Sequence, residues 1–508
     1  MKTKIIILSC FLIFYTTLLF GQGMIIQPNS YVTVAGGGKL IVSDAKNGFL
    51  TIKSTASGTG SLVVDANAGS SVSVAANSNV ELYLTGSTSG TEINLWHLVS
   101  SPISNGVSGT FLDDYLLSYD ETTNSFSYIV PTTIALTPMQ GYEAWAMVSG
   151  AKTDVFKGSL NNGNQSFKLT RSWITSGNPL YFPGDNGWNL LGNPYPCAID
   201  FDAESGWTFG SAQTTVYIWN TGGKYKGNFT SHVRGAVSAN GGSRYIPAEQ
   251  GFFLHCTATT TVNMDNNVRV HSTQGYYKSA STEPTTNILR LEASGNGYNH
   301  ETVILFNPDA TSSYDNYDAL FYNGSAASPR IYSVVNNDVL SINALPQITN
   351  NLTVSVGFKV GMPGTYTIRA SELNTFGGNV LITLYDLKTS ISRNLKVNPE
   401  YTFTADTLDN ANRFLVIFGL APFGTNDIQA SETVQIYSFG DAVFIKTNST
   451  ANTKGQVFIF DPIGKEQFQG NLSGTEITKI SPDLSTGYYV VKVVTGESAY
   501  SKKVFITR

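Results

Sequence analysis

The sequence predicts an all-β protein made of several domains. Charged residues make up only 13% of the 508 residues, whereas aromatic residues make up 12% and glycines number 48. Short runs of valine, isoleucine and tyrosine alternate with turns rich in serine, threonine, asparagine and glycine, a composition typical of strands and their connections. No long stretch places apolar residues at helical spacing, and a chain of this length allows roughly three or four domains.

The first 22 residues have the features of a secretory signal peptide. Lys2 and Lys4 form a positively charged start, residues 5–20 form an apolar core, and Gly21 to Gly23 supply small residues for cleavage. The apolar run is short for a membrane-spanning helix and is interrupted by polar residues. We therefore expect export to the periplasm and removal of residues 1–22.

Removal of the signal peptide leaves two cysteines, Cys197 and Cys256. In an oxidising exterior a pair of cysteines favours a disulfide. Two buried free thiols are the alternative, because the sequence does not fix the distance between them.

Residues 23–85 repeat a short apolar unit about every ten residues, with glycine, asparagine, serine and alanine in the turns. This spacing predicts a small β-solenoid whose rungs stack on one another, and a two-sheet sandwich is the alternative. The repeated runs begin at Tyr31, Lys39, Phe49, Ser61, Ser71 and Val80.

Residues 86–280 contain an internal duplication, with halves at 86–180 and 181–280. Three elements recur in the same order, which predicts two β-rich halves packed as one pseudo-symmetric unit. The matched pairs are Trp96–Ile103 with Trp188–Tyr195, Leu116–Asp120 with Val216–Asn220, and Pro138–Trp145 with Pro247–His255.

Two further β-domains follow. Residues 287–420 contain stretches of strand length that are either continuously apolar or alternate between apolar and polar residues. This pattern predicts a seven- or eight-stranded sandwich, and a polar linker at 279–286 precedes it. A second linker at 421–431 leads to residues 432–508, where β-branched and aromatic runs predict a small terminal β-domain.

The terminal domain resembles the type A C-terminal sorting domain of type IX secretion cargo from Bacteroidota. The resemblance rests on V-x-I-x-D-x-x-G-K at Val457–Lys465, on G-Y-Y-V-V-K-V from Gly487, and on K-K-V-x-I from Lys502. The Pro-Asn-Pro element with which such domains begin is replaced by Ile436–Gly440. An ordinary terminal immunoglobulin-like module is the alternative.

This resemblance implies a secretion pathway and a cellular location. It implies recognition by the type IX translocon and by the machinery that processes sorting domains, and a secreted or cell-surface location outside the outer membrane. The residues it assigns to the sorting signal are Gly487, Tyr488, Val490, Lys502 and Lys503. The middle of the chain also resembles uncharacterised Bacteroidota surface proteins that carry W-N-L-x-G-N-P-Y-P, here Trp188–Pro196, a resemblance that assigns no catalytic residues.

Motifs for catalysis are missing from the sequence. The five histidines have no zinc-ligand spacing, and neither a G-x-S-x-G elbow nor a phosphate-binding loop occurs. A net charge of −5 argues against nucleic-acid binding. Carboxylates remain for a secreted polysaccharide hydrolase, the alternative function, because a glycosidase needs two of them across a cleft. The candidates are Asp113, Asp114, Glu143, Asp200 and Asp202.

Two further groups suggest binding rather than catalysis. Asp309, Asp315 and Asp318 crowd one loop and supply the oxygen ligands that calcium prefers, so calcium is the cofactor to test. Trp207, Tyr225 and Phe229 lie among Gly, Lys and Asn, where an exposed ring can stack on a sugar. The sequence therefore predicts a non-catalytic adhesion, carbohydrate-binding or surface-layer protein that binds glycans through its second half.

Overall fold

The computed structural model confirms the all-β class. It describes residues 23–42, 49–65, 69–74, 77–90, 92, 95–172, 186–272, 287–336, 338–420, 434–447, 454–462, 464–473, 477–495 and 498–508. Short 3₁₀ helices at Ser108–Phe111, Asn266–Val268 and Leu373–Thr375 interrupt the strands. Across these ranges no helix has the length and apolar character needed to cross a membrane. The chain divides into two compact units, Met1–Thr282 and Glu283–Arg508.

The predicted signal peptide and both predicted linkers lie outside the described residues. The described part of the first unit begins with β1–β9. Their bounds are β1 Met24–Ile26, β2 Tyr31–Val34, β3 Lys39–Val42, β4 Leu50–Ile52, β5 Ser54–Thr55, β6 Gly58–Thr59, β7 Ser61–Val64, β8 Ser71–Val74 and β9 Ser78–Gly86.

These strands form a short solenoid. β1, β4 and β9 pair in parallel, as do β2 with β7 and β3 with β8. Met24 is aligned with Leu50 and Tyr31 with Ser61, so one coil spans roughly 30 residues and the ten-residue period is one side of a coil. Parallel pairing excludes the sandwich alternative, because hairpin-linked strands pair antiparallel.

The duplicated region supplies the rest of the first unit. Its strands are β10 His97–Ser100, β11 Tyr115–Asp120, β12 Ser125–Tyr128, β13 Gly141–Trp145, β14 Gly150–Gly158, β15 Gln165–Leu169, β16 Trp188–Gly192, β17 Ala198–Asp200, β18 Trp207–Thr208, β19 Thr215–Trp219, β20 Phe229–Val233, β21 Ser238–Ala239, β22 Tyr245–Ile246, β23 Gly251–His255, β24 Thr260–Met264 and β25 Arg269–Val270.

The two halves contain the same sheet. The first has the order β10-β13-β11-β12, and the second has β16-β23-β19-β20 with β21 added at its edge. The register agrees as well: Ser100 is aligned with Gly141 in the first half and Gly192 with Gly251 in the second. The repeated sequence elements therefore occupy equivalent positions in the two sheets.

A pseudo-two-fold axis relates these sheets. The backbone N–H of Ser100 donates to the carbonyl oxygen of Glu249 at 2.8 Å, and the equivalent Gly192 N–H donates to the carbonyl oxygen of Met139 at 2.9 Å. Isolated bridges follow the same rule, joining Val99 to Gln250 and Leu191 to Gln140. Such reciprocal contacts are the signature of an isologous interface, here formed within one chain.

The inner faces of the two sheets belong to different cores. In the first half, Val99, Leu116 and Tyr142 pack with solenoid residues such as Leu82. In the second half, the inner face packs into a separate core that includes Leu191, Val216, Ile218, Phe252 and Leu254. Each sheet therefore keeps a second, outer face.

The second unit begins with β26–β36. Their bounds are β26 Ile288–Gly295, β27 Tyr298–Phe306, β28 Ala319–Leu320, β29 Arg330–Val335, β30 Asp338–Leu345, β31 Leu352–Lys359, β32 Gly364–Ser371, β33 Val380–Asp386, β34 Ile391–Asn394, β35 Glu400–Ala405 and β36 Asn412–Leu420.

These strands join into one eleven-stranded sheet rather than the seven or eight strands expected. The sheet folds over a single core, because residues from distant strands, such as Leu291 of β26 and Phe418 of β36, belong to the same buried cluster. The sequence count missed short strands such as β28 and β34, which are too brief to show a pattern.

The C-terminal strands form a seven-stranded sandwich in the described residues. One sheet has the order β37-β38-β41 and the other β40-β39-β42-β43. The bounds are β37 Val434–Phe439, β38 Ala442–Thr447, β39 Gln456–Phe460, β40 Glu466–Asn471, β41 Ile477–Ile480, β42 Gly487–Thr495 and β43 Ser498–Ile506. An apolar cluster containing Tyr385 and Leu415 with Tyr437 and Phe444 joins this sandwich to the eleven-stranded sheet.

Candidate binding face

The outer face of the first-half sheet carries exposed aromatic rings. Because side chains alternate along a strand, β11 sends Leu116 into the solenoid-side core and turns Tyr115 outward. Leu117 of β11 is aligned with Tyr128 of β12, which places Tyr128 on the same outer face. Tyr115 is 45% exposed and Tyr128 is 60% exposed. Two phenol rings therefore face solvent from neighbouring strands.

These rings belong to a row with fixed geometry. The ring centroids of Tyr115 and Tyr128 are 5.6 Å apart, and those of Trp96 and Tyr115 are 6.4 Å apart. Trp145 meets Trp96 edge-on at 5.1 Å, and its buried indole Nε1 donates to the carbonyl oxygen of Ser87 at 2.7 Å. These separations are ordinary for aromatic pairs. Trp145, which is fixed by its hydrogen bond to Ser87, therefore holds Trp96 at one end of the row.

A second set of rings continues this surface into the second half. Tyr119 lies 5.2 Å from Phe126 and 5.1 Å from Phe253, and Phe229 lies 6.1 Å from Phe253 and 5.1 Å from Trp219. Phe253 is buried and the other four are half-buried. We call the solvent-reaching rings together the aromatic face: Trp96, Tyr115, Tyr119, Phe126, Tyr128, Trp219 and Phe229.

The exposed end of the aromatic face is peculiar to the first half. Sheet register makes Thr215 the equivalent of Tyr115, and Ser231 the equivalent of Tyr128. Both second-half residues are small and buried, each 2% exposed. The two copies have therefore diverged, and at these two positions the first copy presents a ring to solvent where the second copy has a small buried residue.

Glu143 places a carboxyl group in the aromatic face. In β13 it is aligned with Leu117 of β11 and with Leu98 of β10, which sets it on the outer face of the sheet. It is half-buried, and its carboxyl oxygens have no hydrogen-bond partner among the described residues. Burial raises the pKa of Glu143 to about 8, so the group is mostly protonated at neutral pH.

The charged side chains beside Tyr115 compensate one another. Lys152 Nζ lies 2.7 Å from a carboxylate oxygen of Asp114 and 3.0 Å from one of Asp154. Burial raises the pKa of Asp154 to about 7, although Lys152 opposes this shift. These contacts leave no uncompensated cation in this group of side chains, so they do not favour an anionic ligand.

Of the three predicted ligand-binding residues, Phe229 belongs to the aromatic face. Tyr225 lies in the turn that joins β19 to β20, where Lys224 Nζ is 5.3 Å from its ring centroid. The backbone N–H of Asn228 donates to the carbonyl oxygen of Tyr225 at 3.2 Å. Tyr225 therefore sits at the end of the strand pair that presents Phe229.

Trp207 lies elsewhere. It forms β18 rather than a loop, packs against the inner core of the second half, and stacks on Phe209 at 5.2 Å. Its indole Nε1 donates to the carbonyl oxygen of Asp200 at 2.8 Å. It borders a separate cleft of about 360 Å³ whose walls include Gln165, Asn263 and Asp265. The structure thus separates Trp207 from Phe229 instead of bringing them together.

The structure does not assemble the predicted calcium site. Asp318 is buried, and its carboxylate accepts the backbone N–H groups of Ala344 at 2.7 Å and Asp315 at 2.8 Å. Asp315 accepts the N–H groups of Thr311 and Tyr317, and Asp309 is exposed. No metal-binding group of three or more such side chains occurs in the described part of the chain. These aspartates stabilise a turn, as Asp commonly does.

Three carboxylates of the hydrolase alternative, Asp114, Asp200 and Asp202, are held in ion pairs. Arg244 donates through Nε and Nη2 to both carboxylate oxygens of Asp200, at 2.8 and 2.6 Å. Burial opposes ionisation of Asp202, but hydrogen bonds from His232 and Gly235 outweigh burial and lower its pKa. A glycosidase acid needs a raised pKa, so Asp202 does not suit that role.

His232 also connects Asp202 to a serine. Its Nε2 lies 2.8 Å from Asp202 Oδ1 and its Nδ1 lies 2.9 Å from Ser238 Oγ. Ser238 and His232 are each only 3% exposed. A nucleophile must reach its substrate, so this buried chain of hydrogen bonds is better suited to holding β20, β21 and the Asp202 turn together.

The disulfide alternative is not formed, since Cys197 and Cys256 are both buried free thiols. Arg269 Nε donates to Cys197 Sγ at 3.4 Å, and Cys256 Sγ donates to the carbonyl oxygen of Thr170 at 3.3 Å. Burial raises the pKa of the Cys197 thiol, which keeps it protonated and unreactive.

The residues assigned to the sorting signal lie on the edge hairpin of the C-terminal sandwich. Gly487 is aligned with Ile506, Val490 with Lys503, and Val491 with Lys502. Tyr488 is 54% exposed, lies 4.9 Å from Phe505, and has Lys503 Nζ 4.1 Å from its ring centroid. Tyr488, Val490, Lys503 and Phe505 therefore form an outward strip that another protein can reach.

Together these features define an all-β protein with a ring-lined outer face and no assembled catalytic centre among the described residues. The chain belongs to a family described as a domain of unknown function (DUF8693), whose model matches residues 11–418. No curated protein matches the chain.

Solved structures resemble parts of it at low similarity. A two-domain fibronectin type III segment of chicken tenascin shares 10% identity with a TM-score of 0.13, over 29% of this chain and 94% of the segment. A Ruminococcus gnavus β-glucuronidase shares 9% identity with a TM-score of 0.11, over 28% of this chain and 36% of the enzyme. The Bacillus anthracis TIE protein shares 8% identity with a TM-score of 0.09, over 81% and 67%.

Sequence reasoning missed Tyr115 and Tyr128. Both lie in strands that alternate like any half-buried strand, and alternation does not reveal which face is covered. For Tyr115 a usable signal was the duplication itself, because aligning Leu116–Asp120 with Val216–Asn220 sets it against Thr215. For Tyr128 the connections between the strands differ in length, so its equivalence with Ser231 is given by the sheet register. A large ring in one copy where the other copy has a small polar residue indicates that the position is not packed in the same way in both halves.

Proposed function

We propose that this protein is a non-catalytic, cell-exterior carbohydrate-binding protein whose aromatic face holds a neutral glycan. The observation that carries the proposal is the row Trp96–Tyr115–Tyr128, in which rings held at fixed separations face solvent from adjacent strands. Large apolar surfaces in contact with water mark binding sites. A chain of sugar rings offers flat apolar faces that match such a row.

The surrounding chemistry favours a neutral glycan over a charged polymer. Lys152 is compensated by Asp114 and Asp154, and the whole chain has a net charge of −5. Neither feature provides the basic surface that nucleic acids or acidic polymers require. Binding without turnover is supported by Asp200 and Asp202, whose carboxylates are occupied by Arg244 and His232.

Exchanging the two tyrosines for their second-half equivalents tests this proposal. Tyr115→Thr and Tyr128→Ser each remove one ring while using a residue that the same backbone position already accepts. At about 1 kcal/mol for each ring, we expect roughly five-fold weaker binding for each variant and about 30-fold for the pair. A glycan array identifies the ligand, and isothermal titration calorimetry measures the affinity.

Trp207→Ala is the matched control, because Trp207 lies on the other side of the second-half sheet. We expect its affinity to equal that of the parent. Weaker binding in Trp207→Ala with unchanged binding in the tyrosine variants would transfer the site to the Trp207 cleft. Absence of any glycan ligand would favour a surface-layer or adhesion role that does not use sugars.

We further propose that residues 432–508 direct export through the type IX translocon to the cell surface or medium and are then removed by its processing machinery. The sequence resemblance supports this proposal, and so does the accessibility of Tyr488, Val490 and Lys503. A chain ending at Ala430 is expected to accumulate in the periplasm, as cell fractionation would show. Normal amounts of the truncated chain outside the cell would contradict the role of residues 432–508 in export.

Truncation also uncovers the apolar cluster that Tyr385, Leu415 and Ile417 form with the C-terminal sandwich. A point variant therefore serves as the control. Lys502→Ala with Lys503→Ala keeps the sandwich and this cluster in place while altering the terminal motif. Retention of both forms in the periplasm points to recognition, whereas retention of the truncated form alone points to misfolding.

A further inference from the structure

We propose that Glu143 is the hydrogen-bonding group of the aromatic face and that it donates the carboxyl O–H to a glycan oxygen. This inference rests on the proposed glycan-binding function and deepens it. Rings supply contact area but little orientation, and a polar group among them fixes a ligand's position. Among the described residues, Glu143 lies between the Tyr115 row and the Tyr119 cluster on the outer face.

The carboxyl group of Glu143 lowers the stability of the fold, so folding does not explain its presence at this position. A half-buried carboxyl group without a protein partner destabilises the folded state, because burial removes hydrogen bonds to water and no protein group replaces them. The equivalent residue in the second half is Phe253, which is buried against Tyr119 and Phe126. An apolar residue therefore fits this sheet position, and the first half carries a carboxyl group instead.

The neutral form of Glu143 is the donor. Burial raises its pKa to about 8, and no charged neighbour contributes to that shift. On the outer face, the titratable neighbours are Tyr115, Tyr119 and Tyr128. Burial, and then the charges of Glu121 and Asp120, raise the pKa of Tyr119 above its usual range, so it remains neutral.

Two titratable residues of the second half lie on strands that contact this sheet. Tyr217 is buried on β19, and His255 on β23 has ring nitrogens within hydrogen-bond distance of Gln213 and of the carbonyl oxygen of Asn186. His97 of β10 occupies the opposite face, where its Nε2 lies 2.8 Å from the carbonyl oxygen of Thr85. Glu143 and Asp154, whose pKa is raised to about 7, are therefore the carboxyl groups of this region expected to change charge between pH 7 and pH 9. Glu143→Gln leaves Asp154 in place, so this variant assigns the pH effect to one of the two groups.

The test measures binding of xylan, galactomannan, amylose and mixed-linkage β-glucan by calorimetry at pH 7 and pH 9. If only the protonated form binds, the parent loses about ten-fold in affinity between the two pH values. Glu143→Gln keeps a donor that does not titrate, so its affinity should match the parent at pH 7 and stay constant. Glu143→Phe, which installs the second-half residue, should lose at least about ten-fold at pH 7.

Thermal unfolding of both variants shows whether the sheet is intact, and we expect melting temperatures equal to or above that of the parent. Three outcomes would overturn the inference: a parent affinity that does not change with pH, affinity that rises with pH, or full binding by Glu143→Phe. A parent that binds a glycan in any of these cases leaves the proposed function standing. If the parent binds neither these four polysaccharides nor any glycan of the array, the proposed function fails and this inference fails with it.

Discussion

Replacing Asp386 by alanine is expected to lower the free energy of unfolding of the second unit by about 3–5 kcal/mol, because it removes the nearer of two carboxylates from a buried guanidinium and leaves it with Asp409 at 3.4 Å. Asp386 is 1% exposed and Arg413 is 2% exposed. Arg413 donates through Nε at 3.1 Å and Nη2 at 2.9 Å, and the Tyr401 hydroxyl donates to the same carboxylate at 2.9 Å. Urea denaturation of parent and variant gives the difference.

Glu400→Ala is the matched control for this experiment. Glu400 pairs with Arg369 at 3.6 Å in the same sheet, but both side chains are more than half exposed. Exposed pairs contribute about 0–1 kcal/mol, so the control should be nearly neutral. Similar small effects for Asp386→Ala and Glu400→Ala would contradict the role assigned to the buried pair.

The Asp386 pair also predicts a pH dependence. Burial opposes ionisation, but Arg413 and its hydrogen bonds outweigh burial and lower the pKa of Asp386. A carboxyl group whose pKa is lower in the folded state stabilises the protein above its unfolded pKa, about 4, and loses that contribution as the pH falls further. The stability difference between parent and Asp386→Ala should therefore shrink below about pH 4.

Replacing Glu249 by methionine is expected to stabilise the first unit. Glu249 is fully buried beside the pseudo-two-fold axis, and neither carboxyl oxygen has a hydrogen-bond partner in the part of the chain that the structure describes. Its equivalent is Met139, which is also fully buried and shares the left-handed backbone, with φ of 65° against 55° for Glu249. Removing an unpaired buried carboxyl group should increase the free energy of unfolding by about 1–3 kcal/mol.

The gain should grow with pH. Burial raises the pKa of Glu249 well above its usual value, so the folded state holds this proton more tightly than the unfolded chain does. Stability is therefore lost as the pH rises above about 4.3, the unfolded value, towards the folded one. Urea denaturation at pH 5 and pH 8 should show a larger benefit of Glu249→Met at pH 8.

Glu249→Gln separates the two contributions, because it removes the charge and keeps a polar group. It should lose the part of the pH dependence due to Glu249 and gain less stability than Glu249→Met. Glu143 also has a raised pKa, so some pH dependence should remain in both variants. Destabilisation by Glu249→Met would contradict the equivalence of the two sites.

Much of the fold could be predicted from the sequence because it follows local periodicity. The ten-residue spacing from Tyr31 to Val80 follows from strands that occupy the sides of a solenoid coil. The repeat of Trp96–Ile103 as Trp188–Tyr195 marks two sheets with one register. The eleven-stranded sheet could not be counted in advance, since β28 pairs with β30 through only two residues.

The candidate site depends on long-range packing, and the sequence revealed less of it. Whether Tyr115 or Leu116 faces solvent depends on the solenoid that covers one side of the sheet. Trp207 lies among loop-forming residues, yet β18 pairs with β24 and turns its ring towards a core. Asp200 and Asp202 have catalytic spacing, but Arg244 and His232 come from more distant strands and turns. Partners distant in sequence decide each of these cases.

Hydroxyl-radical footprinting tests the central claim most directly, because it reports the exposure of individual rings with and without bound glycan. With a polysaccharide identified by the array, we predict protection of Tyr115 and Tyr128, which are 45% and 60% exposed in the free protein. Trp207 and Tyr488 should be modified equally in both states. Protection confined to Trp207, or unchanged modification of Tyr115 and Tyr128 at saturating glycan, would contradict the assignment of the aromatic face as the binding site.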